Sequence, residues 1–338
     1  MNNKEVILGI IGAGNIGQLH INNLKHISGV KIKTISDQYP DNLKEWFKAT
    51  GAENLTKNYE DILNDSEIDA VFICTPTDTH TTIIKAAAKA GKHIFCEKPI
   101  SLSDEDTLEA YEVVKKAGVK FQIGFNRRFD SNFSRVKDLV STDKVGDLHI
   151  LKITSRDPAA PPLNYVKSSG GMFIDMTIHD FDMARYIADS EVVEVYANGN
   201  VLVDSEIGKL GDIDTAIVTL KFANGAIGVI DNSREAVYGY DQRLEAFGSK
   251  GSAQVQNETE TKVQHLSSEG VVEDKPLHFF LERYNDAFIK EVEEFLKSIK
   301  NDNDTAVTFK DGIMAQRIAL AAKESLDSGQ SVKVNLLD

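Results

Sequence analysis

The apolar run Val6-Ile7-Leu8-Gly9-Ile10-Ile11 passes directly into Gly12-Ala13-Gly14-Asn15-Ile16-Gly17, and helical spacing begins at once over residues 16–27. Few folds accommodate that succession. Gly12 permits a tight turn after a buried strand, Gly14 lets a pyrophosphate approach the main chain, and Gly17 lets helix and strand pack closely. Asn15 and Ile16 complete the loop, so the amides of the first helical turn face incoming negative charge. Asp37 stands 20 residues beyond Gly17, just past a second β-branched run at residues 30–35. A carboxylate there accepts hydrogen bonds from an adenosine ribose and repels a 2′-phosphate, so the expected cofactor is NAD rather than NADP.

The surrounding pattern agrees with that start. Strand-like runs at residues 6–11, 30–35, 69–74, 93–96 and 119–123 alternate with helical stretches at 16–27, 41–49, 59–63, 79–90 and 104–117. Apolar runs without strict alternation predict strands covered on both faces, hence a doubly wound parallel sheet with crossover helices. Ser103 before Asp104-Glu105-Asp106, and Gly118 after Ala117, mark the two ends of one helix. Beyond Gly124 the texture changes. Strand signals at 148–154, 192–198, 215–222, 226–231, 242–247 and 252–256 are separated in places by tight turns, Ala223-Asn224-Gly225 and Ser249-Lys250-Gly251. A large, mostly antiparallel sheet follows, with helical stretches at 129–140, 172–188, 284–297 and 311–326. The expected architecture is α/β: a doubly wound, dinucleotide-binding domain over 1–123 and a second α/β domain over 124–338, its last helix, about 311–326, packing back on the first domain.

Charge and cysteine content exclude several alternatives. A formal net charge of −14 over 338 residues disfavours nucleic acid and anionic membranes as partners. Val6–Ile11 is too short to span a bilayer and lacks a leader's cleavage site, and Cys74 and Cys96 both sit in apolar runs with no framework spacing. A cytoplasmic protein with two buried thiols is expected. His20, His26, His93, His149, His265 and His278 show no ligand spacing, so no metal is expected.

Two further motifs, joined to the glycine loop, give the reading its specificity. Cys96-Glu97-Lys98-Pro99 ends a strand, Cys74-Thr75-Pro76-Thr77-Asp78-Thr79-His80 ends another, and the glycine loop precedes both. Together they resemble the Gfo/Idh/MocA oxidoreductase family. Gly124-Phe125-Asn126-Arg127-Arg128-Phe129-Asp130, Ser155-Arg156-Asp157-Pro158, the segment Gly170-Gly171-Met172 through Asp182, and Tyr238-Gly239-Tyr240-Asp241-Gln242-Arg243 are similar to its inositol 2-dehydrogenase branch. The resemblance implies a Rossmann domain followed by an α/β domain whose open sheet face joins subunits, with a homotetramer expected. It also implies a Lys–Asp–His set at the substrate, which falls on Lys98, Asp175 and His179.

Oxidation of a secondary alcohol needs a proton acceptor and a cofactor that takes the hydride. Residues 172–188 read as one helix, so Asp175, His179 and Asp182 share a face. A carboxylate beside an imidazole suits His179 to act as base, while Lys98 orients the hydroxyl; the reverse assignment of base stays open. Asp182 reads as a buttress. Outside the motif, Asp175 and His179 would read as a surface ion pair and Lys98 as a solvated strand-end lysine.

Thr75, Pro76, His80 and Glu97 are expected to line the nicotinamide and its ribose along with Lys98. For a neutral polyol the candidate contacts are Arg128, Asp157, Tyr238 and Tyr284, each with a structural alternative as salt bridge or packed ring. A related dehydrogenase of glucose-like pyranoses is the nearest competing function. An NAD-retaining glycosidase and a non-enzymatic sensor are more distant ones.

Overall fold

The structure, a computed structural model, describes residues 5–337, and its contacts divide into two compact units. Residues up to Asn126, with Asp286–Ile313, form the first; Arg127–Asn285 and Met314 onward form the second. The segment 286–313 therefore groups with the N-terminal unit rather than with the domain in which the sequence placed it. The reason is packing. Val292, Phe295 and Leu296 on the helix Asn285–Asn301 join one core cluster with Leu8, Ile10, Phe72 and Phe95. Burying each such side chain contributes about 1.5–3 kcal/mol. Periodicity reveals an apolar stripe but does not name its partner.

In the first unit, β1 (Val6–Ile11), β2 (Val30–Ser36), β3 (Asn54–Thr56), β4 (Ala70–Ile73), β5 (His93–Cys96) and β6 (Phe121–Ile123) form a sheet in the order β3-β2-β1-β4-β5-β6. Every pairing is parallel. The chain reverses its winding between β1 and β4, so a crevice opens at the carboxyl ends of those strands. The helix Asp104–Ala117 begins where its caps predict: the Ser103 hydroxyl accepts from the Asp106 amide at 3.2 Å. It ends at Gly118, whose φ of 67° is the left-handed geometry that favours glycine. Phe309 stacks at 4.3 Å from Phe121 within this unit, and the helix Phe309–Ser328 begins there.

The second unit is built on β7 (Leu148–Arg156), β8 (Val192–Asn200), β9 (Thr215–Phe222), β10 (Ile227–Ser233), β11 (Asp241–Gly248) and β12 (Gly251–Val255). A separate hairpin, β13 (Gln264–Ser267) and β14 (Gly270–Glu273), stands apart, and β15 (Val332–Lys333) closes the large sheet on the β8 side. The order is β12-β11-β7-β10-β9-β8-β15, antiparallel except for β7 with β10. Along β9, Ala216, Val218, Leu220 and Phe222 are buried while Ile217, Thr219 and Lys221 are exposed. The helices Ser131–Ser141 and Ile178–Ala188 pack on the sheet at β7, β11 and β12, and the outward side chains of β9 stay exposed.

Candidate active site

The glycine loop has the geometry its spacing implies. Gly12 adopts a φ of +94°, and a Cβ there would lie 2.7 Å from the Cys74 carbonyl. A Cβ on Gly17 would strike the Gly12 carbonyl, so only glycine lets the helix Asn15–Leu24 start this close to β1. Above Gly14 nothing lies within 4 Å, and no side chain caps that helix. Open space over uncapped amides is what a pyrophosphate requires. Asp37 shapes the loop as well as facing it: Oδ2 accepts from the Ala13 amide and Oδ1 from the Tyr39 amide, both at 2.9 Å. Each oxygen keeps a second lone pair for a ribose hydroxyl. The residues present fit a dinucleotide.

The loops after β4 and β5 lie at the same end of the sheet. Thr75 accepts from the Thr79 hydroxyl at 2.6 Å, and Pro76 caps the helix Thr77–Lys89. His80 is buried, with Nδ1 at 2.8 Å from the Pro99 carbonyl and Nε2 at 2.8 Å from the Thr75 carbonyl. It ties the two loops together, and burial holds its pKa below the usual histidine value against the pull of both carbonyls. A ring facing two main-chain acceptors braces the two loops. Glu97 also turns inward: Oε1 lies 2.7 Å from His20 Nε2, and Oε2 accepts from the Lys98 amide at 3.3 Å. The Lys98–Pro99 peptide is cis, and Lys98 is half-buried at the end of β5.

In the second unit, the expected helix over 172–188 is broken. Met172–Asp175 forms one short turn of helix, Met176 departs to φ −100° and ψ −59°, and a new helix runs Ile178–Ala188. The Thr177 amide reaches back to the Met172 carbonyl at 3.0 Å and its hydroxyl donates to Asn232 at 2.7 Å, which fixes the break. Asp175, His179 and Asp182 therefore do not lie on one regular helical face. Asp175 is instead gripped by partners the sequence did not announce: Tyr165 donates to Oδ1 at 2.6 Å, and Arg234 pairs with Oδ2 at 3.0 Å. Arg234 also lies 3.6 Å from Asp157. Burial pushes the Asp157 carboxyl up to about 6, Arg234 opposes it, and Asp175 adds to the rise. His179, half-buried, occupies the first turn of the second helix.

Comparison with known proteins adds the family. Residues 6–125 match the model of an oxidoreductase family with an NAD-binding Rossmann fold, and residues 133–254 match the Gfo/Idh/MocA C-terminal domain. The chain belongs to the Gfo/Idh/MocA oxidoreductase family. It is 52% identical to the oxidoreductase YrbE of Bacillus subtilis (strain 168), over 98% of this chain and 97% of that one. It is 50% identical to a myo-inositol 2-dehydrogenase of Thermotoga maritima, over 97% of this chain and 98% of the relative. A scyllo-inositol dehydrogenase from Lactobacillus casei, solved with bound NAD(H) and scyllo-inositol, superposes with a TM-score of 0.91 at 32% identity, covering 98% of this chain and 99% of that one.

Within this Gfo/Idh/MocA chain, the other expected substrate contacts have firm partners of their own. Arg128 forms a bidentate pair with Asp182 at 2.8 and 2.6 Å. Tyr238 is 39% exposed, donates to Asp241 at 2.5 Å and accepts from Arg156 at 3.1 Å. Tyr284 is 2% exposed, its hydroxyl 3.3 Å from Gln242 and its ring close to Arg127 and Arg283. Sequence reasoning also missed the pair Arg127–Asp180, 2.6 Å apart, which Ser155, Asn232 and Tyr240 complete. Burial raises the Asp180 carboxyl while Arg127 and Asn232 oppose that rise; the short contact supports a charged pair. Arg127 adjoins Arg128 in the sequence, and nothing in spacing distinguishes their fates.

Proposed function

We propose that this oxidoreductase is an NAD-dependent inositol 2-dehydrogenase, oxidising one secondary hydroxyl of myo- or scyllo-inositol to the keto-inositol. The observation that carries the reading is likeness, over nearly the whole chain, to dehydrogenases named for those substrates. NAD, when bound, supplies the acceptor for the hydride leaving the carbon. Gly12, Gly14 and Gly17 leave room for its pyrophosphate, the amides of Asn15 and Ile16 meet the charge, and Asp37 accepts from the ribose.

The chain's own task is the proton. In this proposal His179 takes it from the hydroxyl at an imidazole nitrogen. Lys98 donates a hydrogen bond to the same oxygen and stabilises the charge that develops there. Tyr165 and Arg234 hold Asp175 in place, and a carboxylate there suits the imidazolium that forms. Asp157, on the far side of Arg234, is a candidate contact for a polyol hydroxyl, as are Arg128 and Tyr238.

The proposal extends to assembly and setting. A homotetramer through the outward sheet face is supported by exposed Tyr196, Ile217, Ile227 and Phe247. A reducing, cytoplasmic setting is supported by two buried cysteines without a disulfide. Among the described residues no helix is long and apolar enough to cross a membrane.

The test is NADH formation by the purified enzyme with myo-inositol, scyllo-inositol and hexoses. Turnover of an inositol is expected, and activity confined to hexoses contradicts the reading. Lys98→Met is expected to lower kcat by about 10²-fold or more while NAD affinity changes little. Full activity in that variant contradicts the role given to Lys98.

A further inference from the structure

Beside Lys98, inside the first unit, three ionisable side chains from three elements meet away from solvent. His20 comes from the helix Asn15–Leu24, Glu97 follows β5, and Glu291 comes from the helix Asn285–Asn301. Their polar atoms lie within 4.8 Å of one another, and His20 and Glu291 are both 0% exposed. Phe72, Phe95 and Phe288 surround the imidazole at 5.7, 5.1 and 5.9 Å between ring centres. An apolar chamber of this kind does not carry two bare carboxylate charges.

The two carboxyl groups are treated differently. Glu97 has an anion's partners, His20 Nε2 at 2.7 Å and the Lys98 amide at 3.3 Å. Gly124 makes room for it, since a Cβ there would stand 3.0 Å from Glu97 Oε2. Among the described residues, neither oxygen of Glu291 has a hydrogen-bond partner. Burial first, and Glu97 second, push its carboxyl well above the usual range. Of the other titratable groups that feel Glu97, burial pushes Cys74 and Cys96 up and His80 down, so none of the three supplies a charge at neutral pH. Gln122 anchors the helix through the Glu291 carbonyl at 2.8 Å.

We propose that His20, Glu97 and Glu291 form a buried bracket with one negative charge, on Glu97, and that this bracket positions the main chain carrying Lys98. The inference rests on the role given above to Lys98. Glu291 is the neutral member, His20 donates through Nε2, and Glu97 fixes the Lys98 amide. A divalent cation is the other way to neutralise two acids, and the experiment separates the two.

The charge half is read from stability. A carboxyl whose folded value is raised contributes fully below its unfolded value, and that contribution is lost as pH rises through the folded one. Glu291→Gln removes the loss, so the variant is expected to melt at least about 2 °C above wild type at about pH 8, the gap closing toward about pH 4.5. A lower melting point at the higher pH, or stoichiometric divalent metal in purified wild type by mass spectrometry, overturns the proposal.

The positioning half is read from turnover. His20→Gln keeps an N–H donor and is expected to hold kcat about tenfold above His20→Met at matched NAD affinity. Equal kcat overturns it. Should neither His20 variant fold, Glu97→Gln replaces them: a fall of about tenfold at unchanged NAD affinity is expected, and wild-type kcat overturns the bracket. Lys98→Met separates the two levels. If it is fully active, the reading of Lys98 fails; if it is inactive while the His20 variants are equal, only the bracket fails.

Discussion

Arg234→Met removes a cation that two acids share. Arg234 sits 3.0 Å from Asp175 and 3.6 Å from Asp157, with side-chain exposures of 4% for the arginine and 9% and 24% for the acids. Stripping one partner from a buried pair costs about 3–5 kcal/mol, and the lower figure applies because Asp157 keeps some contact with water. For a unit of this size that is a fall of about 6–12 °C in melting temperature.

The pH dependence has a definite sign. In the wild type Asp157 already titrates at about 6, so its contribution to stability is whole below the unfolded carboxylate value and is lost as pH rises through about 6. Removing Arg234 lets the Asp157 carboxyl rise further, so it stays protonated to higher pH and the cost of ionising it grows. The gap between variant and wild type is therefore expected to be widest near pH 8 and to shrink below about pH 5.5. Differential scanning calorimetry across that range, with kcat measured alongside, makes the comparison. A deficit independent of pH would refute the claim that Arg234 acts as the shared counter-charge.

Other perturbations bear on separate parts of the structure. Gly12→Ala puts a Cβ 2.7 Å from the Cys74 carbonyl at a positive φ; it is expected to weaken NAD binding by about tenfold or more, measured by fluorescence titration. Asp37→Ser combined with Gln38→Arg is expected to move the ratio of kcat/KM toward NADP, and an unchanged ratio would refute the ribose assignment. Tyr165→Phe deletes the 2.6 Å hydrogen bond to Asp175. A loss of about 1–2 kcal/mol of transition-state stabilisation, about five- to thirtyfold in kcat/KM, is expected, and an unaltered rate would show that Asp175 needs no such support.

Much of the fold was legible because local physics and tertiary structure agree. β9 alternates buried and exposed residues over the very span its pattern indicates, and the helix Asp104–Ala117 starts and stops at its cap residues. The short strand Asn54–Thr56 was not legible, since two polar residues flank a single leucine and only pairing with β2 makes it a strand. The break at Met176–Thr177 was hidden as well. Apolar residues continue across it, and the groups that fix it, Asn232 and the Met172 carbonyl, belong to other turns of the chain.

At the site, the glycine loop and Asp37 were readable from spacing because strand, turn and helix are contiguous there. The grip of Tyr165 and Arg234 on Asp175, and of His20 on Glu97, joins residues distant in sequence. Spacing carries no record of such pairings. The same limit explains Tyr284: its motif position suggested a contact, while its burial follows from Arg127, Arg283 and Gln242 closing around it.

The central claim is that a hydrogen on an inositol ring carbon passes to NAD. Inositol deuterated at the carbon bearing the reacting hydroxyl, incubated with enzyme and NAD, tests it by mass spectrometry of the cofactor. The account predicts NADH carrying the deuterium and a slowed initial rate. Unlabelled NADH, or label released to water with no net reduction of the cofactor, would contradict it.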